Sequence, residues 1–388
     1  MNSTSTISLS SNTIDTEDFT ALIDWLKGEP KLSKGEITVE FEKEWAKKMQ
    51  KKYAVFVNSG SSANLILLYS LICTGELKNS KIAVPAVSWS TTVAPIIQFG
   101  LTPVLVDCNF DNLSVDIQHL TNVFKEEAPA ALFLVSVLGL VPDMAEIQML
   151  CKKYNVVLIL DNCEGLGSTY AQRPLEAFAL ASTTSLFYSH QLCTIEGGMI
   201  VTDDFVLYNT LLMLRSHGWL RDVDREFAST FQVKWDYNDF ESLYKFYHPG
   251  FNVRSTDLQA FIGLRQLGKM DSYINKRNYL YRLYSLHLSQ LLWKPAHNPH
   301  AFVSCLGYPV ISPRRSEIVD ALIKNGIECR PLIAGSMATQ PFFSERYGIQ
   351  LHVNNSLKVD AEGFYVPCHT HLTDTDVELI TGIINSFT

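Results

Sequence analysis

The run Ser59-Gly60-Ser61-Ser62-Ala63-Asn64 stands between a short apolar stretch and a helical pattern. Small residues let the backbone come close to a ligand. A helix start adds free N–H groups and a positive dipole end, and the hydroxyls of Ser61 and Ser62 add donors. That set suits a phosphate, although a serine N-cap with a tight turn would use the same residues. Asp161-Asn162-Cys163-Glu164 closes the run Val156-Val157-Leu158-Ile159-Leu160. In open α/β sheets the carboxyl ends of strands face the ligand crevice. An aspartate there can hold a protonated ring nitrogen and keep the ring electron-withdrawing. A capping or turn aspartate is the alternative. Pro85-Ala86-Val87-Ser88-Trp89-Ser90-Thr91-Thr92 follows another apolar run, and Trp89 can either stack on a flat heteroaromatic ring or fill a core.

The elements that would carry these residues are legible in the pattern. Tyr53 to Val57, Lys81 to Val87, Val104 to Asp107, Ala130 to Ser136 and Val156 to Asp161 are almost continuously hydrophobic. Strands covered on both faces of a mostly parallel sheet read this way. Helical segments lie between them, such as Ile37 to Gln50 with Phe41, Trp45 and Met49, and Asp143 to Lys153. The β-α-β-α order implies an α/β doubly wound layer. Leu220 to Tyr247 is charged and aromatic without clean periodicity, and reads as an insertion or long loop. Asp257 to Met270 predicts a helix leading out of the large unit. Phe302 to Ile311, the helix Ser316 to Asn325 and Gly326 to Arg330 then belong to a second unit. The expected division is a mobile polar tail over 1–12, a large domain over 13–270 and a small C-terminal domain over 271–388.

The 388 residues are 47% hydrophobic and 19% charged, enough for a sizeable core. A net charge of -8 argues against nucleic acid or an anionic membrane as a bulk partner, because no basic stripe exists to neutralise phosphates. Met1-Asn2-Ser3-Thr4-Ser5-Thr6 has no basic or apolar segment and the first lysine is Lys27, so neither a secretory signal nor a transit peptide is expected. No apolar run is long enough to span a membrane. Eight cysteines occur singly, without a C-x-C or C-x-x-C pair. That pattern argues against zinc and iron–sulfur sites and fits reduced thiols in a cytoplasm. His369 with His371, and His297 with His300, lack a third ligand at a recognisable spacing, and no metal site is expected.

Thr184 to Thr202 contains Ser185, His190 and the segment Glu196-Gly197-Gly198-Met199-Ile200-Val201-Thr202. Taken with the three constellations above, it resembles the DegT/DnrJ/EryC1 sugar aminotransferases in both motifs and order. Gly250-Phe251-Asn252-Val253-Arg254 with Leu258-Gln259-Ala260, and Gly326-Ile327-Glu328-Cys329-Arg330-Pro331, extend the resemblance from about Gly35 to the end. It implies the type I fold of pyridoxal-phosphate-dependent transferases, aspartate aminotransferase-like. That fold has a mostly parallel central sheet and a smaller C-terminal α+β domain. One departure stands out. His190 occupies the position of the family's Schiff-base lysine, and no lysine lies between Lys153 and Lys234. Imidazole cannot take over that bond, but it moves protons around an ordinary pKa of about 6.5. The cofactor, pyridoxal or pyridoxamine 5'-phosphate, is therefore expected to be held without a covalent link.

Lysine-to-histidine members of this family are sugar 3-dehydratases. One kind acts on GDP-4-keto-6-deoxymannose in the colitose pathway of O-antigen synthesis. The other acts on a CDP-linked hexulose and carries an iron–sulfur cluster on clustered cysteines, a pattern this chain lacks. Ser189-His190 and the segment Phe240 to Phe246 are more similar to the first kind, although Gln191 departs from the second histidine expected there. The resemblance implies loss of the C3 hydroxyl from a nucleotide-linked 4-keto-6-deoxyhexose, with L-glutamate as amino donor and release of ammonia. It gives His190 the proton transfer, Gly60, Ser61 and Ser185 the phosphate, Trp89 the ring face and Asp161 the ring nitrogen. Glu164 would orient a nearby group. Asn252 would reach the phosphate of a neighbouring subunit, which implies a homodimer with shared active sites. His217, Arg254 and Arg330 would line the substrate side. An ordinary aminotransferase with a remote base, or a non-catalytic cofactor-binding scaffold, remain as rival readings.

Overall fold

A computed structural model describes residues 6–350 and 352–388. Seven strands form the main sheet: β1 (Tyr53–Val57), β2 (Lys81–Pro85), β3 (Thr102–Val106), β4 (Ala131–Val135), β5 (Val157–Asp161), β6 (Ala181–Ser185) and β7 (Gly198–Thr202). Their order is β1-β7-β6-β5-β4-β2-β3. β2 is parallel to β3 and β4, β4 to β5, and β5 to β6. Only β7 runs against its neighbours β1 and β6. The strands are buried along most of their length because helices cover both faces, which is why their sequences do not alternate.

Register brings the chemistry to one edge. Val57 and Ser185 both pair with Gly198, so the ends of β1 and β6 lie level. Asp161 ends β5 and pairs with Thr183 on β6. The turns after β1, β2, β5 and β6 therefore open side by side. Helix Gly60–Thr74 starts in the first of them, and Ser59 caps it by accepting the Ser62 N–H at 3.0 Å. Gly75, at φ 76°, ends it in the left-handed conformation that glycine tolerates best.

A three-stranded antiparallel sheet holds β8 (Gly307–Ile311), β9 (Arg330–Pro331) and β10 (Gly363–Pro367), with β10 central. The helix expected to end near Met270 runs as one piece over Asp257–His287. A Thr256–Gln259 capping box starts it, and Met270, Ile274, Arg277, Leu280 and Tyr284 continue one buried stripe. A boundary at 270/271 thus falls inside a continuous helix. Arginine and tyrosine in that stripe hid its period from a hydrophobicity reading.

Two other expectations are corrected. The supposed loop over 220–247 contains helices Arg225–Trp235 and Asp239–Ser242, each begun by a side-chain cap, Asp224 and Asn238. The first has no buried residue, so no apolar period could announce it. The tail over 1–12 lies outside the described residues up to residue 5. Beyond that it is docked rather than mobile. Ile7 pairs with Ile327, the Leu9 N–H donates to the Glu328 carboxylate at 3.0 Å, and His369 Nε2 meets the Ser8 carbonyl at 3.0 Å. Polar composition misled there, because the backbone rather than the side chains makes most of the contacts. Among the described residues no helix is long and apolar enough to cross a membrane.

Candidate active site

A cavity of about 340 Å³ opens at the level edge of the sheet. Gly60, Ser61, Trp89, Asp161, Glu164, Ser185 and His190 all line it. At one end the first turn of helix Gly60–Thr74 presents its free N–H groups. A Cβ at Gly60 would stand 2.7 Å from Ser185 Cβ and 2.9 Å from Cys163 Sγ, so only glycine leaves this backbone open. The Ser61 hydroxyl lies 3.2 Å from that of Thr91, and Ser185 is nearly buried beside Gly60.

Asp161 is held on both oxygens. One accepts from Asn64 Nδ2 and from the Thr92 hydroxyl, each at 2.7 Å, and the other accepts the Cys163 N–H at 3.1 Å. Asn64 is itself oriented by the Thr183 hydroxyl at 2.6 Å. The carboxylate is thus locked before any ligand arrives. Trp89 precedes helix Ser90–Gln98, lines the cavity and is 52% exposed, so its ring does not fill a core.

Two groups carry protons. His190 closes a tight turn in which its N–H donates to the Phe187 carbonyl at 3.0 Å. Its Nδ1 is buried without a partner. Burial, helped by the Arg277 charge, pushes its pKa down to about 4, so the imidazole is neutral near neutral pH. Glu164 accepts the Leu138 N–H at 2.7 Å. Burial pushes it up to about 8, against the pull of that N–H and with a smaller push from Asp161. Gln191, where a second histidine was expected, donates to the carbonyls of Glu164 and Ser304. It pins the residue after His190 to two other segments.

The remaining predicted residues lie elsewhere. Asn252, Arg254 and His217 do not line the cavity but form their own group. Arg254 Nε donates to Asn252 Oδ1 at 3.0 Å, and its Nη2 lies 3.5 Å from His217 Nε2. The group adjoins β1, because Val57 bridges to Arg254 and the Asn58 N–H reaches the Val253 carbonyl. Arg330 is exposed on β9 opposite Tyr365, whose side chain does line the cavity. Sequence reasoning gave no role to Asn64, Thr92, Leu306 or Tyr365. Asn64 had a signal, one helical turn beyond Gly60 on the same face. Leu306 and Tyr365 had none, since Tyr365 comes from the distant small sheet and Leu306 from the segment just before it.

These features fit a flat, phosphorylated heteroaromatic group: a phosphate cradle, an open ring face, an oriented carboxylate and an uncommitted imidazole nitrogen. Comparison with known proteins agrees. The description DegT/DnrJ/EryC1/StrS aminotransferase family matches residues 12–385. The GDP-4-keto-6-deoxy-D-mannose 3-dehydratase of Escherichia coli O55:H7 is 35% identical over 352 residues, 86% of this chain and 88% of the relative. The structure of the E. coli GDP-4-keto-6-deoxy-D-mannose-3-dehydratase with bound hydrated PLP superposes with a TM-score of 0.89 at 30% identity, covering 97% of this chain and 98% of that one. A structure of GDP-4-keto-6-deoxymannose-3-dehydratase with a trapped PLP-glutamate geminal diamine gives the same TM-score and identity, over 97% and 99%.

Proposed function

The chain belongs to the DegT/DnrJ/EryC1/StrS aminotransferase family and has its fold, and from that premise we propose that it is a pyridoxal-phosphate-dependent nucleotide-sugar 3-dehydratase. It removes the C3 hydroxyl of a 4-keto-6-deoxyhexose carried on GDP, takes its amino group from glutamate and releases ammonia. The observation that carries this reading is the cavity wall. It holds a neutral imidazole at His190 whose buried Nδ1 has no partner, and among the described residues no lysine lines it. An aminotransferase needs an amine base at that place.

When bound, the cofactor supplies an electron sink and, as pyridoxamine, the nitrogen that engages the C4 ketone. The chain supplies the rest. Gly60, Ser61 and Ser185 would hold the phosphate, and Trp89 would cover one ring face. Asp161 would accept a hydrogen bond from the protonated ring nitrogen on a carboxylate that Asn64 and Thr92 have already oriented, and so keep that nitrogen charged. His190 would take a proton on its imidazole and give it back, a role that a depressed pKa suits at neutral pH. Glu164, whose pKa is raised to about 8, would carry its carboxyl proton near neutral pH and so could offer a donor to a group in the cavity. Arg330, His217 and Arg254 would meet the nucleotide-sugar.

A homodimer with shared sites belongs to the same reading. Asn252 is exposed and outside its own cavity, as a side chain that serves a neighbour would be. Eight free thiols support a cytoplasmic setting. The test is His190→Asn, which keeps a polar group of similar size but cannot cycle a proton. Ammonia release from GDP-4-keto-6-deoxymannose should fall by roughly 10²- to 10⁴-fold while sugar binding survives. Mass spectrometry should find a 3-deoxy-4-keto sugar from the parent enzyme. Ammonia at the parent rate from His190→Asn, or an amino sugar as product, would remove the assignment.

A further inference from the structure

Arg277 lies midway along helix Asp257–His287 and is 2% exposed. Among the described residues no carboxylate comes within ion-pair distance of it. A buried cation without a counterion is unfavourable, so its surroundings must repay the desolvation in another way. They are backbone carbonyls. Its Nη1 donates to Cys368 O at 2.6 Å, Cys305 O at 3.0 Å and Leu306 O at 3.2 Å. Its Nη2 lies 3.5 Å from the carbonyl of His190. One guanidinium therefore spans the His190 turn, the segment leading into β8 and the residue after β10. Leu306 and His190 are both on the cavity wall.

We infer that Arg277 is a positioning residue, whose guanidinium ties the His190 turn to the carbonyls of Cys305, Leu306 and Cys368 and so fixes the imidazole on the cavity wall. The inference rests on His190 being the base. A planar fork suits this task, because one flat donor group reaches several acceptors at once where an ammonium would be a point charge. The same placement sets a fixed positive charge beside the imidazole. It acts with burial to keep the ring neutral and ready to accept a proton. The other ionisable side chains on the wall with His190 are Asp161, Cys163, Glu164, Glu196 and Tyr365.

Arg277→Met and Arg277→Lys in the full chain test this. The ring titration of His190 is read by NMR on cofactor-free protein and assigned by its loss in His190→Asn. In Arg277→Met the midpoint should rise by about one pH unit, and in Arg277→Lys it should stay close to the parent value. In the loaded enzyme, kcat should drop by about 10- to 100-fold in Arg277→Met with KM held, and Arg277→Lys should recover only part of it. An unmoved midpoint or an unchanged kcat in folded Arg277→Met overturns the inference. Should Arg277→Met not fold, Arg277→Lys decides: a lower kcat at unchanged KM and melting temperature supports the tie, and parental kcat overturns it. Parental turnover by His190→Asn would instead remove the base reading and leave the titration result standing.

Discussion

Burial acts in opposite senses on the two proton-carrying groups of the cavity. It holds His190 near 4 as a neutral base and Glu164 near 8 as a neutral acid. Neither charge has to be solvated in an enclosed space. The arrangement has a cost in stability whose direction can be worked out. Glu164 has a raised folded pKa, so between about 4.5 and about 8 the folded state binds more protons than the unfolded one. Stability then declines as pH rises through that window. Glu164→Gln removes the term. In the cofactor-free protein, urea midpoints should show the variant gaining on the parent between pH 5 and 8, by on the order of 1 kcal/mol after allowing for water in the open cavity. A constant difference across that range would contradict a raised Glu164. Residues of this kind were legible in the sequence where they followed an apolar run or sat in a family motif, as Asp161 and Glu164 did. Arg277 and Tyr365 were not, because nothing in an arginine among helical residues, or a tyrosine in a strand, says which distant turn it will meet.

Helix Gly60–Thr74 shows how an element delivers chemistry. Ser59 caps it, Gly60 opens its backbone to the cavity, and Asn64 one turn later fixes Asp161. Gly60→Ala leaves the cap and the helix intact but drives a methyl to within 2.7 Å of Ser185 Cβ and 3.1 Å of its Cα. The cradle must then shift. Retention of pyridoxal phosphate, followed by its absorbance after gel filtration, should weaken by about tenfold or more, whereas the far-UV spectrum should not change. Ser59→Ala should cost about 1 kcal/mol of stability through the lost cap. Equal cofactor retention in Gly60→Ala and parent protein would mean that the phosphate does not sit there. Such strand–turn–helix units were readable because doubly covered strands are continuously apolar and their turns are rich in small residues. Element ends and faces were less so. Helix Arg225–Trp235 buries nothing within the chain, and Asp257–His287 buries arginine and tyrosine as well as aliphatic residues, so neither showed a plain hydrophobic period.

At the scale of the whole molecule the question is whether one chain contains a complete site. The cavity holds every predicted cofactor residue except Asn252, which points away as part of a cluster with Arg254 and His217. That cluster adjoins in space the strand end that starts the phosphate cradle, yet stays outside it. The proposed shared-site dimer would account for this, with each chain giving its Asn252 to the cradle of the other. The consequence is complementation. His190→Asn spoils the site in its own chain, whereas Asn252→Ala spoils the site of its neighbour. Each variant alone should form a dimer of very low activity. Mixed by denaturation and refolding at equal amounts, half of the dimers become hybrids. Each hybrid has one site with an intact His190 from one chain and an intact Asn252 from the other. Ammonia release should therefore recover to about a quarter of the parental rate, as a twofold-symmetric dimer requires. Sedimentation should show the same dimer mass for parent, variants and hybrid. A monomer by sedimentation, or a mixture no more active than its two components, would show that each chain works alone and that Asn252 serves no neighbour.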